Sequence, residues 1–190
     1  MSGAGERPLL FLDVDGPLIP FGAPPPGGRP VGSAATAPAG AGENPLLARL
    51  NPQHGRRLSG LACDLVWATT WMADANEVIA PGLGLPTLPV VEWPDSDEDG
   101  PLHWKTRGLV EWAAGRSFVW VDDEITEVDR VWVSTHHPGR ALLHRVDPRR
   151  GLTDADFDII GDWLAGRGPV AGRIAPGVCV SGEHAVGPPA

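Results

Sequence analysis

Two aspartates spaced two apart, Asp13 and Asp15, close an apolar run near the start of the chain, "LLFLDVDGPL". A buried strand avoids carboxylates unless their charge has a use. In extended backbone, residues two apart point the same way, so both side chains can face one site. Gly16 then permits a sharp departure of the chain. Three later stretches also end in reactive groups. "LVWATT" ends in Thr69 and Thr70, "HWKTRG" sets Lys105 before a helical pattern, and "FVWVDDE" ends in Asp122, Asp123 and Glu124. Acidic groups gathered in one crevice repel one another unless a cation sits among them, and oxygen donors of this kind suit Mg²⁺. A lysine and a hydroxyl suit an anion. Together they point to phosphoryl transfer, in which a carboxylate attacks phosphorus while metal and lysine neutralise the phosphoryl oxygens.

The elements that must position these groups alternate along the chain. Short apolar runs at 8–14, 63–70, 87–93, 117–123 and 141–146 read as strands. Helical patterns lie between them. Residues 52–62 carry Leu58 and Leu61 at helical spacing, and 71–80 are stopped by Pro81 and Gly82. Residues 105–115 are closed by Gly115. Residues 126–134 have Thr126 as N-cap and Val128, Val131 and Trp132 inward. Residues 153–166 have Thr153 as N-cap and Phe157, Ile160 and Leu164 on one face. This alternation predicts an α/β fold, a doubly wound parallel sheet of about five strands with ligands at the carboxyl ends of the strands. Asp13, Asp15, Thr69, Lys105, Asp122 and Asp123 all arrive at that edge.

The four motifs, in this order, resemble the haloacid dehalogenase-like (HAD) superfamily: a DxDG after an apolar strand, a strand ending in Ser or Thr, a lysine before a helix, and a strand ending in paired acids. The sequence is also similar to small actinobacterial-type HAD-domain proteins, some of whose relatives are linked to RNA repair. The resemblance spans residues 8–165 and implies roles. Asp13 would be the nucleophile that forms an aspartyl-phosphate, and Asp15 the acid and then the base. Thr69, rather than Thr70, would hold a phosphoryl oxygen, and Lys105 would neutralise charge. Mg²⁺ would be held by Asp13, the Asp15 carbonyl and Asp122, with Asp123 direct or through water. Asp15 argues for phosphatase or phosphotransferase chemistry, because dehalogenases of the superfamily lack it. Pro17 departs mildly from the usual Thr or Val and removes no catalytic group.

A length of 190 residues fits one domain, read as 1–165 with an insertion at 17–62. Residues 22–44 are almost all Gly, Pro, Ala and Ser, which predicts a flexible segment, and the tail at 166–190 has the same bias. A short flap and this insertion therefore stand where a folded cap would be, and an open site admits either small esters or a polymer end. Arg29, Arg49, Arg56 and Arg57 lie near the flap, where ordinary surface charge is the plainer reading and a second anion contact the other. The net charge of −9 disfavours long-range attraction to nucleic acid or an anionic membrane without excluding a local cationic pocket. Two distant cysteines give neither a disulfide framework nor a cysteine zinc site. With no leader pattern and no apolar span, the expected location is the cytoplasm.

"DSDEDG" at 95–100 imitates the start of a calcium loop, but the twelfth position is Thr106 rather than glutamate. Trp71 and Trp104 flank the second and third motifs. Packing is the plainer reading for them, base stacking the other. The expected activity is a Mg²⁺-dependent phosphomonoesterase acting on a phosphorylated substrate. A nucleic-acid end phosphatase is one alternative. A non-catalytic module that binds phosphate or a partner is another, although it predicts decayed motifs.

Overall fold

The computed structural model describes residues 6–22, 45–93 and 100–167. The expected insertion at 22–44, the tail at 166–190 and the acidic stretch at 95–100 fall almost wholly outside these residues. The described chain builds β1 (Leu9–Leu12), a 3-10 turn (Pro45–Arg49), α1 (Pro52–Ser59) and β2 (Asp64–Trp67). A π turn (Ala75–Ile79) follows, running on into α2 (Ala80–Leu83). Then come α3 (Lys105–Ala113), β3 (Phe118–Asp122), α4 (Glu127–His136), β4 (Ala141–Arg145) and α5 (Asp154–Leu164).

The sheet is parallel throughout, with strand order β2-β1-β3-β4. β1 therefore lies at the centre, and the chain leaves it first toward β2 and later crosses back to β3. Leu12 is in register with Trp67 on one side and Val121 on the other. The carboxyl ends of β1 and β3 thus meet where the strand order reverses, the place where sheets of this kind bind ligands.

Period-two alternation sorts the core into two layers. Leu10, Leu12, Val119 and Val121 pack with Leu58, Ile79, Leu83, Phe157, Ile160 and Trp163. Leu9, Phe11, Phe118 and Trp120 pack on the opposite face with Leu109 and Val133. Both faces of β1 are covered, which is why its sequence is apolar at every position.

Three expectations are corrected. Residues 87–93 form no ladder strand; Val90 makes a single parallel bridge to Trp67. Pro86 and Pro89 carry no N–H to donate, so the segment touches the sheet at one point beside β2. The helix expected over 71–80 does not stop at Pro81. Its regular part begins at Ala75 as a wide turn, and Pro81 sits in the first turn of α2, where no N–H is missed. The end comes at Gly84, left-handed at φ 68°.

In α4, Thr126 is the N-cap as expected, but Val128 and Val131 face solvent, 44% and 65% exposed. Asp129 and Val133 turn inward instead. The buried Asp129 carboxylate decides this rotation. One oxygen accepts from the His103 N–H at 2.8 Å and the Thr106 hydroxyl at 2.7 Å. The other accepts from the Thr126 N–H at 2.8 Å and hydroxyl at 2.6 Å. A single carboxylate thus ties the start of α3 to the start of α4.

Burial by itself would raise Asp129, but the hydrogen bonds from Thr126, Thr106 and His103 outweigh it and hold the group below the usual range. A depressed carboxylate contributes stability above its unfolded pKa and loses it as pH falls through the folded value. Asp129→Asn is therefore expected to lower stability by about 2 kcal/mol at pH 7, measured by urea unfolding. The gap to wild type should narrow as the pH is taken toward 3. A gap that stays constant would refute the ionised role.

Candidate active site

The site forms where β1 and β3 end side by side. The Asp13 N–H donates to the Val121 carbonyl at 3.1 Å, which fixes the backbone of the first motif to the strand that delivers the fourth. Lys105, the first residue of α3, reaches between them. Its Nζ lies 2.9 Å from Asp13 Oδ2 and 2.8 Å from Asp122 Oδ2. All three side chains are buried. A lysine at a helix N-terminus is electrostatically misplaced, and the two carboxylates resolve the conflict.

The remaining oxygens are also engaged. Asp13 Oδ1 accepts from the Val14 N–H at 2.8 Å. Asp122 Oδ1 accepts from the Glu124 N–H at 2.9 Å, and Oδ2 from Trp120 Nε1 at 3.2 Å. Asp123 completes the group: one carboxylate oxygen each from Asp13, Asp122 and Asp123 lie within 4.8 Å of one another. This acidic cluster is able to hold a metal ion. A second trio, His103, Asp122 and Glu124, meets the same distance and overlaps the first at Asp122.

Three carboxylates share one ammonium, and the imbalance shows in their proton affinities. Asp13 is pushed up to about 7, chiefly by burial and further by Asp122, against the pull of Lys105. Asp123 is raised by burial and then by Asp122. Burial acts to lower Lys105, but Asp13 and Asp122 together outweigh it and raise the ammonium above its ordinary value. The crevice thus holds more negative charge than its own cation balances.

Gly16 permits this crowding. It adopts φ 84°, and a Cβ there would lie 2.5 Å from Asp123 Oδ1. The all-oxygen donor set and this cleared space fit a small hard cation.

Asp15 takes another direction. Its Oδ2 accepts from Trp71 Nε1 at 2.9 Å, so its carboxylate is oriented by the segment after β2 and lies outside the acidic trio. Thr69 is fully buried just past the end of β2. Its hydroxyl accepts from the Trp71 N–H at 3.3 Å, and its carbonyl from Trp93 Nε1 at 3.3 Å. Thr70, by contrast, is exposed.

Of the flap arginines, Arg49 donates to the Pro20 carbonyl at 2.7 Å, and Arg57 pairs with Asp154. Arg56 is exposed, and Arg29 lies outside the described residues. Arg49 and Arg57 are thus committed to structure.

Sequence reasoning missed three supporting contacts. Trp120 stands two before Asp122 on one strand, so period two alone puts the indole beside the carboxylate. The Thr126–Asp129 pair is readable as a capping box. Its reach to His103 and Thr106 had no local signal. Trp71 as the partner of Asp15 had none either.

A family model described as the HAD domain in Swiss Army Knife RNA repair proteins matches residues 9–157. The chain belongs to this family. The matched span contains all four motifs and the whole sheet. Neither the curated proteins nor the solved structures compared with the chain give a match. Among the described residues of this HAD domain, no helix is long and apolar enough to cross a membrane.

The Gly16 geometry gives a direct test. Gly16→Ala combines left-handed strain with a collision against Asp123, whereas Gly84 is also left-handed but has open space around it. Gly84→Ala is expected to cost about 1 kcal/mol and Gly16→Ala at least twice that, read from urea midpoints. Equal losses would mean that Asp123 yields freely and that Gly16 does not fix its place.

Proposed function

We propose that the chain is a Mg²⁺-dependent phosphomonoesterase in which Asp13 is the nucleophile. The observation that carries this reading is Lys105 Nζ bridging Asp13 and Asp122 while Asp123 converges on the same point. A phosphatase of this type needs one unprotonated carboxylate facing phosphorus, a cation for the phosphoryl oxygens and a second acid for the leaving oxygen.

Asp13, Asp122 and Asp123 would hold the ion with the Asp15 carbonyl, and when bound it would supply positive charge to the nucleophile and the phosphoryl oxygens. Lys105 keeps Asp13 oriented and offsets charge on the phosphate. Thr69 offers its hydroxyl to one phosphoryl oxygen.

An Asp13 carboxylate oxygen attacks phosphorus, the ester P–O bond breaks, and Asp15 gives its proton to the departing oxygen. Asp15, now ionised, takes a proton from water. The resulting hydroxide attacks the aspartyl-phosphate, the Asp13–phosphate bond breaks, and inorganic phosphate leaves. The Trp71 indole N–H supports this role by fixing the direction of the Asp15 side chain.

The family description favours a second, narrower reading, a phosphorylated RNA end as substrate. The net charge of −9 requires that affinity for such an end come from local contacts or from a partner. A cytoplasmic location is the reading that two cysteines in 190 residues favour.

The test is phosphate release from an aryl phosphate and from 3′- and 5′-phosphorylated oligonucleotides, with Mg²⁺ or with EDTA. Release is expected only with Mg²⁺, and Asp13→Asn is expected to lower it by at least about a thousandfold. Release that survives in the variant would rule out Asp13 as the nucleophile. Release that survives in EDTA would rule out the metal.

A further inference from the structure

We propose that Trp104 is a stacking platform for the planar base of a terminal nucleotide whose phosphate enters the Lys105 site. The proposal rests on the phosphomonoesterase reading and names the substrate class: a nucleotide ester with an unstacked base.

Tryptophan is a large aromatic that is highly buried on average and enriched where proteins meet ligands and partners. Trp67 and Trp120 are fully buried, and Trp104 is 47% exposed. Nearly half of this ring is thus open to a ligand, although its neighbours Trp93, His103 and Lys105 cover the rest.

Its position is not arbitrary. It directly precedes Lys105, and its ring centroid lies 5.4 Å from Lys105 Nζ, the ammonium that joins Asp13 and Asp122. An ester held by that lysine must carry its leaving group past this ring or away from it.

The ring is also held in place. The Trp93 ring meets it edge-on, with centroids 4.9 Å apart at 74°. The His103 ring lies nearly parallel to it at 26°, with centroids 5.7 Å apart. Trp93 is in turn bonded to the Thr69 carbonyl, and the His103 backbone to Asp129. The platform is thus anchored to the second motif and to the start of α4. An aromatic surface fixed before binding loses little freedom when a base settles on it.

Charge narrows the ligand further. Arg49 and Arg57 are committed elsewhere, and the chain carries a net charge of −9. A net charge of this sign gives a long polyanion little long-range attraction, so the proposal concerns one phosphate and the base next to it. Bases within a duplex are already stacked on each other, which leaves a single-stranded terminus or a free nucleotide.

The test compares kcat/KM for base-bearing and base-free esters. Adenosine 3′- and 5′-monophosphates are set against ribose 5-phosphate, and a 3′-phosphorylated oligoadenylate against the same strand with an abasic terminal residue. Wild type is expected to prefer the base-bearing member of each pair. Trp104→Ala should cut that preference about tenfold, mainly through KM, and Trp104→Phe should restore most of it. The preference should change little between low and moderate salt, because stacking releases few counterions. Preference for the free nucleotide or for the strand end identifies the source of the ligand, and either one supports the platform.

Equal losses on both members of a pair would overturn the proposal, because Trp104 would then only be supporting Lys105. No change on either would overturn it as well. If wild type turns over none of these esters, release from the aryl phosphate decides the phosphomonoesterase reading separately. The platform is then judged by fluorescence anisotropy of the labelled oligonucleotides: tighter binding of the base-bearing end that is lost in Trp104→Ala supports it, and equal affinity for both ends overturns it.

Discussion

One ammonium held between two buried carboxylates is the constraint on which the rest of this molecule depends. Lys105 enters the crevice from α3, Asp13 from the end of β1 and Asp122 from the end of β3. A buried charge without partners is strongly destabilising, so the three elements must arrive together. Their register is not left to the side chains alone. The Asp13 N–H bonds to the Val121 carbonyl, and Asp129 binds the turn that carries Lys105 to the helix that follows Asp122. The ion pair and the Asp129 carboxylate act on opposite sides of the same junction. The first sets which charges meet. The second sets the angle at which α3 delivers its lysine.

The topology makes such a meeting possible. A parallel sheet gathers every strand's carboxyl end at one edge, and the order β2-β1-β3-β4 sets β1 and β3 together where the winding reverses. Covering both faces of β1 has a further consequence. The backbone that carries Asp13 is clamped by Leu10 and Leu12 on one side and by Leu9 and Phe11 on the other. Reactive groups held by rigid strands need less reorganisation than groups on loops. Here the loop that matters, residues 14–19, is itself drawn into the core through Leu18 and Ile19.

What could be read in the sequence follows from range. The motif strands were legible because each is a short apolar run that stops at a charged or hydroxyl residue, and both signals are local. Thr126 and Thr153 were legible as caps for the same reason. The segment at 87–93 misled because Val90, Val91 and Trp93 look like a strand, while Pro86 and Pro89 just before them limit the pairing to one bridge. The inward face of α4 misled in the opposite sense. Hydrophobic periodicity assigns the buried stripe to valines, but a carboxylate with four donors belongs inside. Nothing near Asp129 in sequence announces that two of its donors come from residues 103 and 106. The orientation of Asp15 was hidden likewise, since its partner Trp71 lies beyond the next strand.

The proposed phosphate substrate sets an apparent contradiction for a chain of net charge −9, and distance removes it. At physiological ionic strength, charges more than about 8 Å apart are largely screened, so the acidic surface has little influence on an anion already inside the crevice. What the anion meets there is the Lys105 ammonium, with whatever cation the three carboxylates hold. Those carboxylates cannot repel phosphate and bind it at once; their excess charge becomes useful only when a cation turns the trio into a positive contact. The same burial that raises Asp13 toward neutrality strengthens each attraction once that cation is present, because little water remains to screen it. Local chemistry can therefore accept a phosphate that the global charge does not attract, and discrimination between one phosphate ester and another is left to the uncharged surfaces around the crevice.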